Sequence, residues 1–523
     1  FRSIKYQHTG AAFMGADVPF AACVRPVGGY KMAVIEIEDL TFQYPGSNQP
    51  ALRGVNMKVE PGQLVLLCGR SGSGKSTLLR LLKKEIAPFG KQGGSIHISE
   101  EEIGFVGQHV ESNIITDTVL GELAFSLENK GLGSREISLK IAQTASFFNL
   151  NPYIDAKTHD LSGGVKQLLA LACAVSTDPR VLLLDEPCSQ LDPISARHFR
   201  DAVYRLNRER GVTVLLCEHS PDLLSRADQA VFLENGAALF SGSPDELARF
   251  LTEQKNDMAL MLPPYTRLLP SRTLDFAAAR EEIKSVKEKN FAKYSAMPPA
   301  VTVKNLAFAY QKKAPDVLFG ADYTAQAGRI NGIVGANGSG KTTLLKCIAG
   351  VLKPYGGKIK KSGKTAYMPQ NVSSLFLCDT VAEELQNSRD LIRRFLLEDL
   401  ACRNPFDLSG GEAQRLALAK MEQTGADILV LDEPTKGMDA VFKSSLAAIL
   451  RGWCAGGKTV ILATHDLEFA GRYTDEVSFL FHSKIVSSAP RRQFFAALDI
   501  YTTALSALTG GRLVCEDDAE VAP

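Results

Sequence analysis

The chain has 523 residues, with 59 basic and 58 acidic side chains and a formal charge of +1. Near-neutrality excludes a global field that would draw the protein to nucleic acid or anionic lipid. No apolar run reaches the roughly 18 residues needed to cross a bilayer, so any membrane role must run through a partner. Ten cysteines are scattered without CxxC pairs; Cys68, Cys173 and Cys217 fall in apolar stretches and read as reduced core residues, which argues against a zinc or iron–sulfur site.

In chain order the sequence divides into five stretches. Residues 1–31 lack periodicity and are expected to form a disordered leader without function of its own; a secretory signal is disfavoured because Asp17 and Pro19 interrupt the apolar patch. Residues 32–244 open on the strand pattern Val34-Ile35-Glu36-Ile37 and form a first α/β domain. The linker, 245–299, begins with a Ser-Pro-Asp-Glu helix start, crosses the turn Leu262-Pro263-Pro264, and is predicted to continue as a charged helix from Leu274 to Asn290. Residues 300–490 form a second α/β domain. The tail, 491–523, carries Glu516-Asp517-Asp518, expected to be solvated. Each domain falls within the size of a single hydrophobic core, up to about 250 residues.

The two domains carry one phosphate-handling kit each. GRSGSGKS, Gly69 to Ser76, recurs as GANGSGKT, Gly335 to Thr342, each after an apolar strand. Gly69, Gly72 and Gly74, and likewise Gly335, Gly338 and Gly340, let the backbone curl so that successive N–H groups face a phosphate, with the positive end of the following helix beneath. Lys75 and Lys341 reach the β- and γ-phosphates, Ser76 and Thr342 offer hydroxyl ligands to Mg²⁺, and Ser71, Thr77, Asn337 and Thr343 complete the two candidate ATP sites. One such turn could arise by chance; two with matching partners could not.

Each kit continues with LSGG, then an apolar strand ending in Asp-Glu-Pro, then a histidine. The strands Val181–Asp185 and Ile428–Asp432 deliver carboxylates at their C-terminal ends. Asp185 and Asp432 suit Mg²⁺, while Glu186 and Glu433 suit polarising the attacking water. An Asp-Glu pair can also be a mere helix cap, but the upstream loop favours catalysis.

LSGG, at Leu161 to Gly164 and Leu408 to Gly411, has no use in its own domain's nucleotide site. A serine and two glycines opening a helix form a second anion nest, one suited to a γ-phosphate held by another domain. These residues resemble the ABC ATPase family from about 33 to 490. The resemblance implies two tandem P-loop domains, each a RecA-like α/β core with an antiparallel β subdomain and a helical subdomain, paired head to tail within one chain around two ATP molecules. Ser409, Gly410 and Gly411 would then face the Lys75 site, and Ser162, Gly163 and Gly164 the Lys341 site. Tyr44 and Tyr310, at equal intervals before their loops, would stack on adenine, although a strand tyrosine can simply pack in a core. Gln108 and Gln370 match the Q-loop, which links the Mg²⁺ site to the helical subdomain; His219 and His465 match the switch histidine; Asp192 and Asp439 match the D-loop.

The halves also differ. The interval from P-loop lysine to signature serine is longer in the first half, which predicts a shorter second helical subdomain. Val165 and Leu168 stand where the second half has Glu412 and Arg415, so the Lys341 site, which would use the Val165 signature, is expected to be the slower. The stretch Thr118-Val119-Leu120-Gly121-Glu122-Leu123-Ala124-Phe125 with Leu127-Glu128-Asn129-Lys130-Gly131-Leu132, faintly echoed at Asp379 to Leu385, resembles energy-coupling-factor (ECF) vitamin and metal importers, as do Phe42-Gln43-Tyr44-Pro45-Gly46 and Cys217-Glu218-His219. That resemblance implies a location on the cytoplasmic face of the membrane, a transmembrane T component docking in a groove lined by Asp117, Glu122 and Glu128, and a substrate-binding S component. The plainer reading makes those acids a solvated helix face. A soluble tandem ATPase acting on ribosomes or nucleic acid is the alternative; the mixed-sign stretch Ser285 to Lys293 and the neutral charge count against it, and a tandem sugar-importer ATPase is a third option. The cargo is not written in this chain.

Overall fold

The computed structural model describes residues 33–520, apart from 48, 101, 109, 190, 219, 220, 292, 293, 312 and 313, and the residues from Ala33 onward form one compact unit. The expectation for the leader therefore lies outside the described residues.

Two α/β halves repeat one topology. In the first, a six-stranded sheet runs in the order Ile103–Val106, Val181–Asp185, Thr213–Cys217, Leu64–Gly69, Gln229–Glu234, Ala237–Gly242. All neighbours are parallel except the last pair. The second follows with Thr365–Met368, Ile428–Asp432, Thr459–Ala463, Ile330–Val334, Glu476–Phe481 and Lys484–Pro490. Three of the four inner strands of the first half are buried at every residue, which explains why they read as unbroken apolar runs: both faces are covered, so no position alternates to water. One face of the sheet packs against a helical arm and the helix Pro193–Arg210. The other packs against the P-loop helix and a three-stranded antiparallel sheet, Leu52–Val59, Ile35–Gln43 and Lys91–Ile98. The P-loop thus lies where two cores meet, and truncating a side chain beneath it, such as Leu183, costs about 2–5 kcal/mol of the support that fixes its geometry.

The helical arms differ as the motif spacing predicts. The first contains Val119–Glu128 and Ser134–Phe147 ahead of the signature helix Gly163–Ser176; the second has only the short helices Val381–Glu384 and Arg389–Arg394 ahead of Gly410–Gln423.

Linker and tail depart from expectation. The helix Pro244–Glu253 starts as read, with a Ser243/Glu246 capping box. The charged helix is much shorter, however, spanning Phe276–Glu282 and a 3-10 turn to Ser285. Its continuation is extended because it pairs with the tail: Lys289 N–H donates to the Asp518 carbonyl at 2.9 Å and Glu520 N–H to that of Lys287 at 2.8 Å. The acidic triplet is not a solvated patch either. Asp518 is fully buried and accepts from Arg491 at 3.2 Å, while Glu516 sits between Arg267 at 2.7 Å and Arg472 at 3.0 Å.

Candidate functional site

The P-loops owe their shape to glycine. Gly69 and Gly335 open them at φ 146° and 157°, and a Cβ there would lie 2.1 Å from the Leu233 carbonyl oxygen or 2.4 Å from that of Leu480. Gly74 and Gly340 cap the following helices in the left-handed region, at φ 100° and 104°, which side chains rarely adopt. Lys75 Nζ donates to the carbonyls of Gly69 at 2.9 Å and Arg70 at 2.8 Å. Lys341 repeats the pattern on Gly335 at 2.9 Å and Ala336 at 3.1 Å. The ammonium groups are thus held across the nests they are expected to serve.

Beside each loop a hydroxyl meets a carboxylate. Ser76 donates to Asp185 at 2.8 Å and Thr342 to Asp432 at 3.0 Å. Burial raises the pKa of both aspartates, against the effect of those hydroxyls. Hard oxygen donors of this kind fit Mg²⁺. Tyr367, which sequence reasoning passed over, donates to Asp432 at 3.0 Å; its position in Tyr-Met-Pro-Gln was the available signal, and the first half has Phe105 there.

Glu186 and Glu433 follow at φ 47° and 51°, a conformation sparsely populated by side-chain-bearing residues and found where a site over-determines it. Gln108 Nε2 donates to Glu186 at 3.2 Å. Glu433 accepts from the His465 backbone N–H at 3.2 Å and lies 2.8 Å from its Nδ1, with Lys341 Nζ at 3.8 Å. Burial lowers the Lys341 pKa, opposed first by Glu433. Gln370 is exposed at the end of its strand, and the structure does not bring it onto Glu433. His219 lies outside the described residues.

The tyrosines occupy matching shelves. Tyr44 hydroxyl meets that of Thr77 at 3.0 Å and Tyr310 that of Thr343 at 3.2 Å. Each ring stands edge-on to a phenylalanine, Phe42 or Phe308, with centroids 5.0 Å apart. Both rings keep exposed surface beside the loop, available to a stacking base.

Ser162 and Ser409 cap the signature helices. Ser409 donates through both its N–H and its hydroxyl to Glu412, each at 2.7 Å. Ser162 instead accepts from Val165 N–H at 3.4 Å. Gly163, Gly410 and Gly411 face open space, whereas a Cβ on Gly164 would meet Ser195 Oγ at 2.7 Å.

A hydrogen bond joins the halves at this level. Asp439, which caps its own helix through Phe442 N–H, accepts from Ser71 N–H at 2.9 Å. The P-loop of the first half therefore touches the segment after Asp432-Glu433 of the second. On the reciprocal side Asp192 is one of the carboxylates acting on Lys341. Such contacts fit a head-to-tail pairing of the halves.

A family model described as ABC transporter matches residues 52–189 and 318–436. A provisionally named ABC transporter ATP-binding protein of Bacillus thuringiensis subsp. konkukian is 34% identical, over 91% of this chain and 95% of its own length. The chain belongs to the ABC transporter ATP-binding family. It is a tandem ABC ATPase. Another relative, the provisionally named HMP/thiamine import ATP-binding protein YkoD of Bacillus subtilis, is 28% identical over 88% of this chain and 92% of its own. In fold, the chain is similar to one in the complex of archaeal ribosomal stalk protein aP1 and archaeal ribosome recycling factor aABCE1, with a TM-score of 0.62, 23% identity and coverage of 88% of this chain and 91% of that one.

The acidic stretch of this ABC ATPase needs correction. Asp117 and Glu128 are exposed, but Glu122 is only 7% exposed. Its carboxylate accepts from Ile115 N–H at 3.1 Å and from Thr116 N–H and hydroxyl at 2.8 Å each. The second half repeats the device with Glu384, which accepts from Leu377 and Cys378 N–H and pairs with Lys420. The loop ahead of the helix folds back over these glutamates, because unsatisfied backbone N–H groups there would cost about 1–3 kcal/mol each.

Proposed function

We propose that this ABC ATPase drives a membrane importer of the ECF type from the cytoplasmic face of the membrane, coupling closure around two ATP molecules to uptake of a small micronutrient, a vitamin or metal ion. The observation that carries the importer reading is the pair of glutamate-pinned loops. Each holds out one large apolar side chain beside the Q-loop: Ile115, 68% exposed, and Leu377, 88% exposed. They lie on the helical arms, the parts in which the halves differ, as two sites for unlike partner helices would require. The import role in the name of YkoD supports the same direction, and so does the Thr118-to-Leu132 stretch. Among the described residues no helix is long and apolar enough to cross a membrane, so the T and S components would supply the path.

The chemistry follows from the paired sites. Lys75 and Lys341, with the loop N–H groups, hold the β- and γ-phosphates, and the faces of Tyr44 and Tyr310 take adenine. Ser76 with Asp185 and Gln108, and Thr342 with Asp432 and Gln370, would hold Mg²⁺, which neutralises phosphate charge when bound. Glu186 and Glu433 polarise the attacking water, and His219 and His465 contact the γ-phosphate. Ser409 closes on the Lys75 site and Ser162 on the Lys341 site. ATP thereby favours the closed pair and hydrolysis the open one, and the arms transmit the difference to Ile115 and Leu377.

Purification from detergent-solubilised membranes tests the importer reading. The chain should bring down integral membrane proteins, and Ile115→Asp with Leu377→Asp should release them while basal ATPase and stability stay within about 0.5 kcal/mol of the parent, as for exposed positions. Recovery of ribosomal proteins, or membrane partners retained by the double variant, would contradict it.

A further inference from the structure

The strand that enters each Q-loop runs beside the strand that ends in Asp-Glu. Thr365–Met368 pairs in parallel with Ile428–Asp432, and Tyr367 is in register with Val430, two residues before Asp432. Ile103–Val106 pairs in the same way with Val181–Asp185, which puts Phe105 in register with Leu183, two residues before Asp185. Tyr367 and Phe105 therefore hold one structural position. Each ring is partly buried on the sheet face that carries the P-loop helix, Tyr367 against the cluster of Leu344, Leu345 and Val430, and Phe105 against that of Leu78, Leu79 and Leu183. The two side chains differ by one hydroxyl.

That hydroxyl changes how the neighbouring buried carboxylate is held. Asp432 accepts from Thr342 on Oδ1 at 3.0 Å and from Tyr367 on Oδ2 at 3.0 Å, so its plane is fixed at both oxygens. Asp185 accepts from Ser76 on Oδ1 at 2.8 Å. Its Oδ2 faces the guanidinium of Arg80, a half-exposed side chain, at 4.0 Å, too long for a hydrogen bond. Among the described residues, then, Asp185 is pinned at one oxygen and Asp432 at two. The strands also differ three residues later: Gln108 donates to Glu186 at 3.2 Å, whereas Gln370 is exposed. The first half reaches its Asp-Glu pair through the glutamine of this strand end, and the second through the tyrosine.

We propose that Tyr367 is the positioning residue that sets the cation choice of the Lys341 site and makes it stricter than that of the Lys75 site. The inference rests on the reading that Thr342 with Asp432, and Ser76 with Asp185, would hold Mg²⁺. A small cation of that kind demands near-ideal octahedral geometry at about 2.0–2.1 Å, whereas Ca²⁺ accepts a flexible shell at about 2.3–2.6 Å. Asp432, pinned by Tyr367, presents its oxygens in one orientation and suits the smaller ion. Asp185 is free to turn and so accommodates either.

Binding of a fluorescent ATP analogue, titrated with Mg²⁺ or Ca²⁺ or measured in EDTA, reads cation choice without requiring turnover. In a Lys75→Ala background, where the Lys341 site remains, Tyr367→Phe should raise the Mg²⁺ concentration for half-maximal binding about ten-fold, the scale of one hydrogen bond to a charged group. The Ca²⁺ requirement and the affinity in EDTA should stay at the parent's values. In a Lys341→Ala background, Phe105→Tyr should move the Mg²⁺ requirement of the Lys75 site the opposite way. An unchanged ratio of Mg²⁺ to Ca²⁺ requirement in Tyr367→Phe would overturn the proposal, as would equal weakening with Mg²⁺, Ca²⁺ and EDTA, the result of a purely structural role. Asp432→Asn in the Lys75→Ala background separates this from failure of the metal reading. Loss of Mg²⁺ dependence there, with the ratio unchanged in Tyr367→Phe, removes the role of Tyr367 alone; Mg²⁺ dependence retained in Asp432→Asn overturns both.

Discussion

The Lys75 and Lys341 sites agree to within tenths of an ångström where phosphate is handled and diverge at the signature helices and in the helical arms. Ser76 meets Asp185 at 2.8 Å and Thr342 meets Asp432 at 3.0 Å; the Tyr44 and Tyr310 shelves match equally well. Yet one signature serine is locked to Glu412 while the other caps toward Val165, and one helical arm is short. Phosphate geometry admits few solutions, because every donor must point at the same small anion. A surface that meets a partner is free to follow that partner. The comparison thus divides the molecule into an engine common to both halves and two unlike helical arms.

The largest effect that could break this comparison comes from Glu186 and Glu433, the glutamates proposed to polarise the attacking water. Glu186→Gln together with Glu433→Gln should lower ATP turnover by about 10²–10⁴-fold, the usual contribution of a positioned base. Taken singly, Glu186→Gln should leave less activity than Glu433→Gln if the Lys341 site is the slower. Equal residual rates would reject the asymmetry.

The contact between the halves gives a smaller effect. Asp439→Ala removes the acceptor for Ser71 N–H and a helix cap worth about 1 kcal/mol. Turnover should fall about ten-fold, a cost of about 1.4 kcal/mol in the barrier, while Tm changes modestly. Wild-type turnover in Asp439→Ala would show that the bond does not take part in closure.

The smallest effect sharpens the comparison of the two arms and is read from pH. The Glu384 carboxyl titrates below the usual glutamate value: burial alone would raise it, but Cys378 N–H, Lys420 and Leu377 N–H outweigh burial. Its stabilisation is complete above about pH 4.3, the unfolded value, and is lost as pH falls through the lower folded value. Glu384→Gln should therefore flatten the acid limb of Tm against pH. An unchanged acid limb would deny Glu384 this role.

What the sequence made legible follows the same division. The two P-loops and the two Asp-Glu strand ends were legible, because glycine at fixed spacing before Lys-Ser or Lys-Thr, and Asp-Glu after a buried strand, have few physical meanings; the reading did not carry to Gln370, which the structure does not bring onto Glu433. The head-to-tail pairing expected from LSGG, which has no use in its own domain, is supported by the bond from Ser71 N–H to Asp439. Glu122 was misread because its partners are backbone N–H groups of a loop that folds back, and no residue pattern encodes that return. Asp518 and Glu516 looked solvated because their partners Arg491, Arg267 and Arg472 are remote in sequence or follow no helical spacing. The linker helix ended early because Lys287 and Lys289 bond to the tail, and that long-range pairing overrides local propensity.

The most direct measurement is a structure of the Glu186→Gln/Glu433→Gln chain loaded with ATP. The account predicts the Ser409 hydroxyl within about 3 Å of the γ-phosphate held by Lys75, and the Ser162 hydroxyl equally close to that held by Lys341. Both signature serines lying more than about 10 Å, a Debye length, from either phosphate would contradict it.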